Sequence, residues 1–299
     1  MSTEYTIQKG VAIFNSLQIL GLILQVVVLI PALFSTRIQR MRTWYIMILS
    51  GIMYNLSYMP LMVLGQQFGP APSFALCLFQ SCLIYCAPVL LVSFSLAFVV
   101  EVFLVMSHTL YQTSASSTCI RTLLLAVPSF ISMAVISTTL WMGLQQPKTI
   151  ERDGGNLYCH STSLSPTRVS AVFVVIEASI MIILEVSMAV ILWGARRRLK
   201  SRSGNDKLSS IFPLSMLFRS LAFAVYILIG IGVGISSVMP IPSANPPIWE
   251  ITLTTPPIVM ALAFGIQKDT IAFYRHRKNG GFVEEESDSN QLLDTTHTV

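Results

Sequence analysis

Residues 169–193 read VSAVFVVIEASIMIILEVSMAVILW, and Arg196-Arg197-Arg198-Leu199-Lys200 follow almost at once. At about 1.5 Å per residue, an apolar run of this length spans the roughly 30 Å hydrocarbon core of a bilayer. The cations mark the point where the chain meets water and headgroups again. Six further apolar stretches flank this one, at 11–34, 43–65, 74–106, 121–145, 211–238 and 249–267. The 299-residue chain is 53% apolar and 11% charged, with mean hydropathy +0.68. A soluble domain carries about 25% charge, so this composition excludes a soluble α-protein. The expected fold is an all-α membrane protein, a seven-transmembrane helix bundle over residues 11–267. It is preceded by an extracellular N-terminus at 1–10. A short amphipathic helix at 268–280 and a disordered acidic tail at 281–299 follow it.

Charge orients the bundle. Arg37, Arg40 and Arg42 follow the first span, and Arg121 follows the third. Arg196, Arg197, Arg198, Lys200, Arg202 and Lys207 follow the fifth, and Lys268, Arg275, Arg277 and Lys278 the seventh. The alternate gaps hold only Lys9, Lys148, Arg152 and Arg168. The positive-inside rule then places the N-terminus outside and the C-terminus in the cytoplasm. The net charge of +5 is thus a topology signal facing the lipid bilayer and points to no nucleic acid. Met1 to Gly10 lacks a basic n-region, so the first span is expected to serve as an uncleaved signal. The sequon Asn55-Leu56-Ser57 falls inside the second span.

The longest outer loop, 146–168, carries the turn signal Asp153-Gly154-Gly155-Asn156. Cys77 at the top of span 3 and Cys159 in this loop both meet the oxidising side and can pair. Cys82 and Cys86, deeper in span 3, are rival partners. Pro60, Pro88, Pro128, Pro256 and Pro257 lie well inside spans and Pro31 nearer an end. Each deletes a backbone donor, which neighbouring helices can replace.

Ionisable groups inside spans are costly and are candidate functional residues. Glu101, Glu185 and Arg219 share the inner half, Glu185 lying about 12 Å from Trp193 at the helical rise. Arg219 is expected to pair with Glu185, Glu101 or both, forming a switch across spans 3, 5 and 6. A static structural pair explains the same residues. Glu177 lies about 12 Å below the outer end of span 5, at pocket depth. With Gln80, Tyr85, Tyr226, Trp249 and Glu250 it marks out a mostly apolar ligand pocket. Trp249 equally suits an interfacial anchor. His108, His160, His276 and His297 all lie outside the spans, so no metal centre converges in the bundle. With no phosphate loop or nucleophile elbow either, the chain reads as no enzyme, with no catalytic residue and no cofactor.

Seven spans, an outside N-terminus, the Cys77/Cys159 pair and the basic inner segments together resemble a G protein-coupled receptor. Glu101 follows Cys77 by 24 residues, where rhodopsin-like receptors carry Asp/Glu-Arg-Tyr. Here the triplet is Glu101-Val102-Phe103. Leu253-Thr254-Thr255-Pro256-Pro257 stands in place of Asn-Pro-x-x-Tyr, and span 6 lacks Cys-Trp-x-Pro. The chain is more similar to receptor-like seven-span proteins of basidiomycete fungi, distantly similar to fungal pheromone receptors. Arg40-Met41-Arg42-Thr43-Trp44, Phe218-Arg219-Ser220 and Phe264-Gly265-Ile266-Gln267-Lys268-Asp269 carry this likeness. It implies a plasma-membrane receptor coupled to a heterotrimeric G protein, with Arg196, Arg197, Arg198 and Lys200 facing that partner. The short outer loops suit a small apolar molecule or short lipopeptide ligand. The alternative is a membrane transporter or channel, against which stand the lack of an internal repeat and the few intramembrane charges.

Overall fold

A computed structural model describes residues 2–35, 40–111, 118–202, 219, 221–229, 252–265 and 273–275. Helices α1 (Ser2–Phe34), α2 (Arg42–Tyr58), α3 (Pro60–Val63), α4 (Phe74–Tyr111) and α5 (Thr118–Gln145) come first. A hairpin of β1 (Ile150–Arg152) and β2 (Cys159–Ser161) precedes α6 (Leu164–Arg202). Helix α7 (221–229) and α8 (Pro256–Gly265) complete the described elements. Among the described residues, four helical stretches are long and apolar enough to cross a membrane: Ile7–Phe34, Phe74–His108, Cys119–Gln145 and Leu164–Gly194. The surface agrees, for Phe34 is 77% exposed, Phe130 75% and Val190 66%. Side chains this apolar face lipid, not water. The chain is a mostly helical, multi-pass membrane protein.

The element boundaries depart from the hydropathy reading in instructive ways. Helix α1 starts at Ser2, inside the segment expected as a separate N-terminus. The basic stretch Arg196 to Arg202 continues α6 as helix, where a loop was expected. The second apolar stretch is broken, because Pro60 has no N–H to offer the Leu56 carbonyl. The Met59 amide takes that carbonyl at 3.3 Å, ending α2, and α3 begins with Pro60 at its N-terminus. The seventh is interrupted at Thr255, between a helical turn at 252–254 and α8. The expected amphipathic segment 268–280 is described only at 273–275, which is helical. The acidic tail lies outside the described residues.

Helix α4 is the centre of the molecule, packed against α2, α5, α6 and both strands. Helix α1 packs on α2 and α8. Beside Pro31, its buried residues are Val11, Phe14, Gln18, Gly21, Gln25, Val28 and Ala32, these seven alternating in steps of three and four. That is the spacing of a helix seam. Helix α6 has the same period in Val174, Ala178, Met181, Glu185, Met188 and Leu192.

Small residues set the distance between α1, α2 and α8. A Cβ at Gly21 would fall 2.8 Å from Asn55 Oδ1, and one at Gly51 would fall 2.7 Å from Gln25 Nε2. The relation is reciprocal. Each helix offers a glycine to the amide that the other carries one turn away. A Cβ at Gly265 would overlap Val28. This is the small-residue close approach that membrane helices use where burial from water supplies no drive between them.

Candidate functional site

At the disulfide end of the bundle, the hairpin forms a roof. The turn holds as its residues dictate: Asp153 Oδ2 accepts from Gly155 N at 2.7 Å, and Asn156 takes the left-handed conformation at φ 60°. Cys77 and Cys159 form a disulfide with Cα atoms 5.0 Å apart, while Cys82 and Cys86 are free and buried. The Gln80 side chain bridges two elements, accepting from Cys159 N at 3.0 Å and donating to Tyr58 O at 3.4 Å. The Tyr85 hydroxyl donates to Ser161 O at 3.3 Å and accepts from Ser161 N at 3.0 Å. Arg152 reaches outward to the carbonyls of Gln66 and Gly69, each at 3.1 Å. Leu157 and Tyr158 are thereby pressed into the bundle, where Tyr158 meets Tyr58 edge-on at 5.6 Å and Phe14 at 6.2 Å. Two of the expected pocket residues, Gln80 and Tyr85, are therefore fasteners of this roof.

A second cluster surrounds the interruption of the seventh apolar stretch. Pro257 deletes the donor for Leu253 O, and the Tyr54 hydroxyl of α2 donates to that carbonyl at 2.7 Å. Pro256 deletes the donor for Thr252 O, which accepts instead from Thr255 Oγ1 at 2.7 Å and from Thr255 N at 3.2 Å. The same Thr255 hydroxyl is hydrogen-bonded to the hydroxyl of Tyr226 on α7. Gln25 Nε2 of α1 donates to Pro257 O at 2.7 Å. Three helices thus grip one broken helix at its break, α1 and α2 through backbone carbonyls and α7 through the Thr255 hydroxyl. Pro31 repeats the pattern, for the carbonyl it frees on Val27 accepts from Tyr274 at 2.8 Å.

The remaining expected site residues are dispersed. Glu177 is buried between α6 and α4, where Oε1 accepts from Ser93 Oγ at 2.6 Å. Its Oε2 has no hydrogen-bond partner among the described residues. Tyr226 lies at the α8 break, while Gln80 and Tyr85 lie at the roof. Glu101 of α4 accepts a hydrogen bond from Thr43 Oγ1 at the start of α2. Glu185 is fully buried and Arg219 half-buried, and each has an interaction partner. The Arg197 guanidinium lies over the Trp193 ring at 5.1 Å, as Arg40 does over Trp44 at 5.8 Å. Arg196, Arg198 and Lys200 stand on the helical extension of α6, and their side chains fall outside the described residues. Trp249 and Glu250 fall outside them too. Among the described residues, no group of histidine, cysteine and acidic side chains is arranged to hold a metal.

What the arrangement can do follows from these bonds. A shift of α7 pulls on Thr255 through Tyr226, and Thr255 is also the donor that closes the break. Displacement of one helix therefore changes the bonding of another. Reading the sequence for ionisable groups misses Gln18, Gln25, Tyr54, Asn55 and Thr255. The usable signal is the adjacent Pro256-Pro257, which frees two carbonyls that need donors. No protein-family model matches the chain, and no curated protein matches it.

Proposed function

We propose that the protein is a seven-helix receptor-like membrane protein that binds a small apolar molecule or short lipopeptide and signals to a heterotrimeric G protein. The four long spans supply four of the seven helices. Helix α2, the helical segment 221–229 and residues 252–265 occupy the places of the other three. The N-terminus lies outside, the roofed end faces the exterior of the plasma membrane, and the basic extension of α6 faces the cytoplasm. Ligand binding near Glu177 moves the sixth helix, and Arg219 leaves its partner as the inner end opens. The opening exposes Arg196, Arg197, Arg198 and Lys200 to the G protein. The observation that carries the reading is the Tyr226–Thr255 contact, which ties the sixth helix to the break in the seventh.

The test is nucleotide exchange on purified heterotrimeric G proteins added to the protein in lipid nanodiscs. Exchange above that of empty discs is expected, and replacing the four cations with alanine lowers it by about fivefold or more. Exchange equal to empty discs, or ion flux through vesicles carrying the protein, contradicts the reading.

A further inference from the structure

The α1–α2–α8 seam is buried, yet it leaves polar atoms unanswered. Gln18 is 1% exposed, and neither its Nε2 nor its Oε1 has a hydrogen-bond partner among the described residues. Gln25 and Asn55 are fully buried, and each leaves its side-chain oxygen without one. An unpaired buried amide costs about 1–3 kcal/mol, so such groups are rare unless something answers them. They also lie close together in the fold. Gln25 and Asn55 nest against the glycines of each other's helices, and Gln18 lies one turn beyond Gly21 on the same face.

We propose that this seam binds water inside the bundle, at Gln18 and between Gln25 and Asn55. The chemistry selects the ligand. Gln18 presents an unanswered donor and an unanswered acceptor together, and water supplies both complements. A metal cation satisfies only the oxygens and is repelled by the amide N–H. The buried charged residues described, Glu177 and Glu185, are both on α6, so the seam has no described buried carboxylate to offset a cation's charge. The site lies beside the carbonyl of Pro257, which Gln25 already holds, so the water borders the break in the seventh apolar stretch. The inference stands on buried atoms alone and is independent of the receptor reading.

Radiolytic hydroxyl-radical labelling in ¹⁸O water, read by mass spectrometry on the full chain in nanodiscs, tests it. The label marks side chains beside bound water even when bulk solvent is excluded. Met260, 0% exposed, has its sulfur 3.1 Å from a Cβ position at Gly51 where Gln25 also converges. Phe14, 1% exposed, lies one turn before Gln18 on the same face. Met106, 2% exposed on α4 and flanked there by no described unanswered polar atom, is the dry control. Labelling of Met260 about tenfold above Met106 is expected, with Phe14 labelled in the same sample. In Gln18→Leu, Phe14 labelling falls to background and Met260 keeps its label. Met260 labelled no more than Met106 overturns the proposal, and Phe14 labelling unaffected by Gln18→Leu overturns the site at Gln18.

Discussion

Helices α1 and α6 bury faces of the same period and use them differently. The α1 seam carries Gln18, Gly21 and Gln25 among its apolar residues and meets helices that carry Gly51, Asn55, Tyr54 and Gly265. The α6 seam carries Met181 and Met188, and its described bonds to α4 are Ser93 to Glu177 and Ser170 to the Tyr85 carbonyl. Both use directed bonds, but the first is set by the close approach of glycines and the second is filled by adaptable thioethers. The periodicity of a seam says that it is buried. Its residue types say how stiff it is.

The largest difference should come from adding one methyl group. Gly265→Ala drives a Cβ into the β-branched Val28, which has no free rotamer to yield, and should cost about 3 kcal/mol. Gly194→Ala on α6 meets nothing within 4 Å and should stabilise by up to about 1 kcal/mol through helix propensity. Thermal melts in detergent compare the two, and equal shifts would erase the contrast. Next in size is Gly51→Ala, at about 2 kcal/mol, because the displaced Gln25 amide is flexible but fully buried. Combined with Gln25→Ala, it should cost clearly less than the sum of the single changes. Additive costs would show that the glycine and the amide do not share one space.

These contacts were only partly legible in the sequence. The four long spans follow from apolar length, and the Cys77–Cys159 pair follows from topology. The donor that Pro60 lacks is legible, but that α2 ends there is decided by the Met59 amide turning to the Leu56 carbonyl, which no local pattern shows. Depth alone places Gln80 and Tyr85 among the pocket residues and says nothing of their bonds to the hairpin. Their partners are backbone atoms of a hairpin about 80 residues away in sequence, which no local pattern announces. Gln18, Gln25 and Asn55 carry no charge, so a search for ionisable groups passes over them. Their meaning appears only when Gly21 and Gly51 are seen opposite.

Smaller effects sharpen the same contrast. Met181→Leu on α6 conserves volume and should cost under about 1.5 kcal/mol. Tyr274→Phe removes the donor to the Val27 carbonyl at a more exposed site than Tyr54 and should cost about 0.5 kcal/mol. Both are read as shifts of the denaturant or thermal midpoint. A Met181→Leu penalty as large as that of Gly51→Ala would mean that the α6 seam is as exacting as the α1 seam.

The central claim is that side chains replace the backbone donors that Pro31, Pro256 and Pro257 delete. Tyr54 and Pro257 test it most directly, in a double-mutant cycle. Tyr54→Phe in the native chain should cost about 1 kcal/mol, because the Leu253 carbonyl loses its donor. In a Pro257→Ala background the restored amide at 257 can serve that carbonyl, and Tyr54→Phe should then cost close to nothing. The same cost in both backgrounds would contradict the account.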